Sequence, residues 1–153
     1  MPSDFVVDLV DHKRRVAGYM QIVANELFRR AAVHDNSKFS PEEFEPYDQA
    51  FPNFKKYAFG SEELKAVYES IRPALQHHFQ ENDHHPEHFE VGVNSMTLIE
   101  FIEMVCDWMA ASDRSQTDVH RGLDINRERF KIDSQLFEII KNTINQLIID
   151  KGY

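Results

Sequence analysis

Cysteine is almost missing from this chain. Cys106 stands alone among 153 residues, which excludes an intramolecular disulfide and a cysteine-rich metal site and suits a reducing cytoplasm. Basic charge is also short: 17 Lys and Arg face 26 Asp and Glu, a formal net charge of −9. A nucleic-acid polymer needs a basic surface to neutralise its phosphates, so that partner class is excluded. A small phosphorylated substrate, held by a few local cations, is not. No apolar stretch approaches the roughly 20 residues that a membrane span needs, so no membrane partner is expected. The start, MPSDFVVDLVDHKRR, lacks a basic segment ahead of an apolar run and does not read as a signal peptide.

Strand signals are lacking too. There is no period-2 alternation, no hairpin dipeptide and no internal repeat. Helical spacing is what remains. Ser3 can cap a helix carrying Val6, Val10, Ala17, Met20 and Val23, and a second run from about Asn25 carries Leu27, Phe28, Ala31 and Ala32. Residues 39–60 hold three of the six prolines amid many aromatics and read as an irregular, lid-like segment. Ser61 starts a further helix through about Gln80, with a kink at Pro73. Asn94 can cap a helix with Leu98, Ile102, Val105, Cys106 and Met109; residues 114–126 read as a polar loop; a last helix runs from about Ser134 to Asp150. The expected fold class is all-α, a single compact bundle of five to six or more helices over residues 1–153. Association into a homo-oligomer is left open.

Histidine is the residue in excess. Five of the eight lie between residues 77 and 88, in HHFQENDHHPEH. With His12, His34-Asp35 and Asp107 they make a candidate set of nitrogen and oxygen donors for a divalent ion. His12 and His34 are 22 residues apart. In one continuous helix about 33 Å would separate them; an antiparallel hairpin turning near residue 23 would bring them level. Asp107 is a lone carboxylate in the apolar helical stretch MVCDWMAAS, costly against a core unless paired or metal-bound. It has a bland alternative, a solvent-facing position on a polar face marked by Glu103. His78 and His85, or their neighbours His77 and His84, could share a face if their helix continued to residue 84. Lys38 either complements a helix C-terminus or neutralises a substrate phosphate. His88 and His120 read as surface residues.

The ordered set His12, His34-Asp35 in HDNSK, a histidine cluster and Asp107 resembles the HD superfamily of metal-dependent phosphohydrolases, whose pattern is H…HD…H…D. HDNSKF is also similar to the HDxGK form of that superfamily's cyclic-dinucleotide phosphodiesterases and of the related inositol and phosphonate oxygenases, with Ser37 where that form has Gly. The stretch NDHHPEH is similar to one in small bacterial and phage proteins. The resemblance covers roughly residues 12–114 and implies an HD-like helical domain. It implies that His12, His34, Asp35 and Asp107 hold one ion, with His78 and His85 (or His77 and His84) near a second. The implied ions are Mn²⁺, Fe²⁺, Co²⁺, Ni²⁺ or Mg²⁺. The implied activity is hydrolysis of a phosphate ester, a nucleotide first among the candidates, with Lys38 offsetting phosphate charge and a cluster histidine, His84, protonating the leaving group. The alternatives are a dinuclear-iron oxygenase and a non-catalytic metal-binding helical protein.

Overall fold

The computed structural model describes residues 3–150. Among them seven α-helices and three short 3₁₀ turns form, and no strand, so the fold is all-α. None of these helices is long and apolar enough to cross a membrane. The chain divides into two compact units whose boundary falls between His34 and Asp35.

The first unit is one helix, α1 (Asp4–Val33), with Ser3 Oγ accepting a hydrogen bond from Val6 N at 3.4 Å. The expected hairpin near residue 23 does not exist. Asn25, the proposed cap of a second helix, lies inside α1, where its Oδ1 accepts from Gln21 Nε2 at 2.8 Å. Gly18 does not break the helix either. A single mid-helix glycine costs only about 1 kcal/mol, and no proline is present to add a break. Ion pairs at helical spacing, Asp11 with Arg14 and Arg15 and Glu26 with Arg29, favour continuity.

The second unit begins with a 3₁₀ turn, Asn36–Phe39, followed by α2 (Phe44–Lys56). The segment expected to be irregular is therefore largely helical. Pro46 falls in the first turn of α2, where the missing N–H has no intrahelical partner to lose. Pro52 lies inside the helix, at the loss of one backbone hydrogen bond. Tyr47 and Phe54 of α2 pack against the small core of Ala50, Val67 and Ile71. Helix α3 (Glu62–Ser70) starts at the Ser61 cap, and α4 (Arg72–Glu81) follows after a break at Ile71. Pro73 thus opens a helix in its first turn, where proline is well accommodated.

Two further 3₁₀ turns, Pro86–His88 and Gly92–Ser95, lead to α5 (Leu98–Ser115). Its cap is Thr97, not Asn94, because Thr97 and Glu100 form a reciprocal capping box. Residues 114–126 are not a loop: α6 (Val119–Phe130) occupies most of them, capped by Asp118. Val119, Leu123 and Phe130 supply a sparse apolar stripe at helical spacing, and Leu123 is buried in the main core. The last helix, α7 (Ser134–Asp150), matches its expected bounds. Met104, Val105 and Met109 of α5, Leu123 of α6, and Phe137, Ile140 and Ile144 of α7 form that core. Its consequence for chemistry is to hold α5 rigidly, and α5 carries Glu103 and Asp107.

Candidate metal centre

Asp35 opens the second unit at φ 58°, ψ 15°, a left-handed conformation that Asp tolerates better than most residues. The tight turn after it is closed by Lys38 N–H donating to Asp35 O at 2.9 Å. The carboxylate is divided between two tasks. Oδ2 accepts a hydrogen bond from Lys38 Nζ. Oδ1 lies 3.3 Å from His78 Nε2 and 3.5 Å from His84 Nε2.

His78 sits in the last turn of α4, which stops at Glu81. The backbone then turns sharply, with His85 N–H donating to Asn82 O at 3.2 Å. This turn brings His84 and His85 back over His78. His78 Nε2 and His85 Nε2 end 3.0 Å apart, and the His84 and His85 rings are 4.2 Å apart between centroids. His78 and His85 therefore meet because the helix ends, not because it continues to residue 84.

Donor atoms from Asp35, His78, His84 and His85 all lie within 4.8 Å of one another. Atoms held about 2.1 Å from one ion lie about 3.0 Å apart at a right angle and about 3.4 Å apart at the tetrahedral angle. The separations of 3.0 and 3.3 Å fall in that range, and 3.5 Å lies just above it. Two imidazole nitrogens 3.0 Å apart would oppose bare lone pairs; a shared proton or a shared cation removes that repulsion. The residues present fit a divalent ion.

Behind the donors stand two buried carboxylates. Glu43, 0% exposed, places Oε1 2.8 Å from His77 Nδ1 and Oε2 2.8 Å from His78 Nδ1. Glu103, 8% exposed, places Oε1 3.4 Å from His84 Nδ1. A carboxylate on one ring nitrogen leaves the other as a donor, the usual support for a metal-binding imidazole. Ser37 Oγ accepts from Asn82 Nδ2 at 2.7 Å and lies 3.2 Å from His78 Nδ1. Glu103 thus does not mark a solvent-facing side of α5. Asp107, one turn further along, is half-buried and has a carboxylate oxygen within 4.8 Å of one on Asp35, so the bland alternative for it fails as well.

Burial, then the neighbouring His84 and His78, push the His85 pKa down to about 3. It is neutral at ordinary pH, the form that can ligate. His77, at the exposed end of the Glu43 bridge, is shifted upward by its hydrogen bond to Glu43. Tyr47, whose ring meets His78 edge-on at 5.9 Å and lies under Lys38 Nζ at 5.4 Å, is shifted upward by burial first and then by Glu43 and Asp35.

Of the residues singled out from the sequence, Asp35, His78, His84, His85, Lys38 and Asp107 gather in this unit. His34 caps the C-terminus of α1, half-buried and peptide-bonded to Asp35. His12 does not join. It is exposed on α1, and with that helix unbroken it lies about 33 Å along the axis from His34. His12→Ala is therefore expected to leave bound metal unchanged from wild type in elemental analysis; a loss would return His12 to the centre. His88 is exposed, as expected, and its Nδ1 lies 3.1 Å from Phe79 O. Sequence reasoning missed Glu43 as a partner of the histidines. Its position three residues after Ser40 and just ahead of an aromatic helix carries no local signal, since its partners are 34 and 35 residues away.

Neither the curated proteins nor the solved structures gave a match to this chain. A family model described as "Family of unknown function (DUF5662)" matches residues 1–146, and the chain belongs to that family.

Proposed function

We propose that the protein is a metal-dependent phosphohydrolase acting on a phosphate ester, with a nucleotide as the first substrate class to test. The observation that carries this reading is the convergence of His78 Nε2, His84 Nε2 and His85 Nε2 on Asp35. Buried carboxylates stand behind two of these rings. Such an imidazole-rich set suits first-row transition ions such as Mn²⁺, Fe²⁺, Co²⁺ or Ni²⁺ better than Mg²⁺. When bound, the ion supplies Lewis acidity: it polarises a phosphoryl oxygen and lowers the pKa of a coordinated water.

The chain's own residues do the rest. Asp35 and the three histidines hold the cation. Asp107 adds a further carboxylate beside Asp35, as the resemblance to HD proteins implies. His84 changes role. Its side chain is 3% exposed and its Nε2 faces Asp35 Oδ1, so it serves as a ligand and not as the acid for a leaving group. Lys38 stays half-exposed beside Asp35, where its ammonium can offset charge on an incoming phosphate.

The test is metal analysis of the purified protein, then phosphate release from a panel of phosphate esters and nucleotides with Mn²⁺ or Co²⁺ added. Turnover that vanishes in Asp35→Asn supports the proposal. About two irons per chain with oxygen consumption would replace it with the oxygenase, and tight metal binding without turnover would leave a metal-binding protein.

A further inference from the structure

Glu43 is a buried carboxylate with no exposure at all, held at the N-terminus of α2. That end of a helix favours negative charge. Burying such a group is costly unless its oxygens are satisfied, and here both are, by Nδ1 of two successive histidines at 2.8 Å each. A carboxylate only accepts, so the hydrogen on His78 must sit on Nδ1. The other ring nitrogen, Nε2, then carries a lone pair, and it is the atom 3.0 Å from His85 Nε2 and 3.3 Å from Asp35 Oδ1.

A second partner of His78 Nδ1 would act the opposite way. Ser37 Oγ lies 3.2 Å from it and can donate, while Asn82 Nδ2, also at 3.2 Å, directs its two hydrogens to Ser37 Oγ and His78 O. Were Glu43 absent, the Ser37 hydroxyl would favour a bare Nδ1 with the hydrogen on Nε2, and a protonated Nε2 cannot ligate. We propose that Glu43 is the positioning residue of the metal centre, fixing His78 in the Nδ1–H tautomer so that its Nε2 lone pair faces the cation. This rests on the metal-binding reading of the cluster, and extends it to a residue that touches no cation itself.

Two substitutions separate this role from simple support of the fold. Glu43→Met fills the space but accepts no hydrogen bond. Glu43→Gln keeps a carbonyl oxygen that can still accept from His78 Nδ1–H, with its amide turned toward His77, whose half-buried ring can take the other tautomer. Two-bond ¹H–¹⁵N correlation spectra of the imidazoles in the metal-free protein report the tautomer directly. Titration with Mn²⁺ or Co²⁺ reports affinity. The expected result is Nδ1–H on His78 in wild type and in Glu43→Gln, with affinity retained within a few-fold. In Glu43→Met the hydrogen moves to Nε2, and affinity falls about 10–100-fold, the range typical for loss of such a partner.

Nε2–H on His78 in the wild-type protein would overturn the proposal whether or not the variants fold. So would wild-type affinity in Glu43→Met, or an equal loss in both variants, which would make charge and not tautomer the deciding property. A wild-type protein that shows Nδ1–H on His78 but binds neither ion would uphold the positioning role and sink the metal reading instead.

Discussion

Asp35→Asn is expected to lower affinity for Mn²⁺ or Co²⁺ by more than about 100-fold, beyond the range for loss of a supporting partner. Three observations combine at this residue. Oδ1 lies 3.3 Å from His78 Nε2 and 3.5 Å from His84 Nε2. The second oxygen holds the Lys38 ammonium. The backbone is left-handed, with φ 58°, so the choice of variant matters. Alanine at such a position adds backbone strain to any loss of binding, whereas asparagine occupies the left-handed region readily and keeps the side chain's size. Asp35→Asn should therefore fold as wild type does and fail in binding. The measurement is thermal unfolding with and without added ion. A ligand at about 100 times its dissociation constant stabilises the native state by about 2.7 kcal/mol, so wild type should show an upward shift in Tm that the variant lacks. Equal shifts in both proteins would move the ion away from Asp35 and remove the basis for the proposed chemistry.

The elements that sequence patterning made legible are those whose information is local. Helix α7 has a dense apolar face, and its bounds came out as expected. The clustered histidines, Asp35 and Asp107 announced a donor set through residue type alone. What stayed hidden depended on partners distant in the chain. Glu43 finds its two histidines 34 and 35 residues away, and no spacing rule links them. Helix α6 was obscured because its polar residues outnumber its apolar ones, although Leu123, with Val119 and Phe130 beside it, anchors it in the core. His12 was misplaced for a different reason. The hairpin that would have brought it level with His34 rested on Asn25 as a cap, and a residue able to cap a helix is equally able to sit within one when neighbours at helical spacing bond to it, as Gln21 does. The histidine turn shows the reverse: helical spacing suggested that residues 78 and 85 could share a face, whereas it is the end of α4 at Glu81 that brings them together.

Ile144→Ala is expected to destabilise the protein by about 2–5 kcal/mol, the range for removing a fully enclosed isoleucine side chain down to its β-carbon. Ile144 has 0% exposure and lies in the core shared by α5, α6 and α7. The three lost carbons leave a hole in a core whose other members, Met104 and Ile140 among them at 1% exposure each, cannot all close over it without disturbing one another. Ile139 provides the control on the same helix. It is 54% exposed, and its replacement by alanine should change stability by no more than about 0.5 kcal/mol. Urea unfolding followed by circular dichroism distinguishes the two: the midpoint should fall in Ile144→Ala with an unchanged slope, since the surface exposed on unfolding is nearly the same. The comparison also bears on the metal centre. From α5, Glu103 reaches His84 and Asp107 approaches Asp35, and the same helix enters this core through Met104 and Val105. Ile144 itself supplies no donor. The folded fraction of Ile144→Ala should therefore bind Mn²⁺ or Co²⁺ with near wild-type affinity, and a parallel loss of stability and affinity would mean that the core also sets the position of the α5 carboxylates.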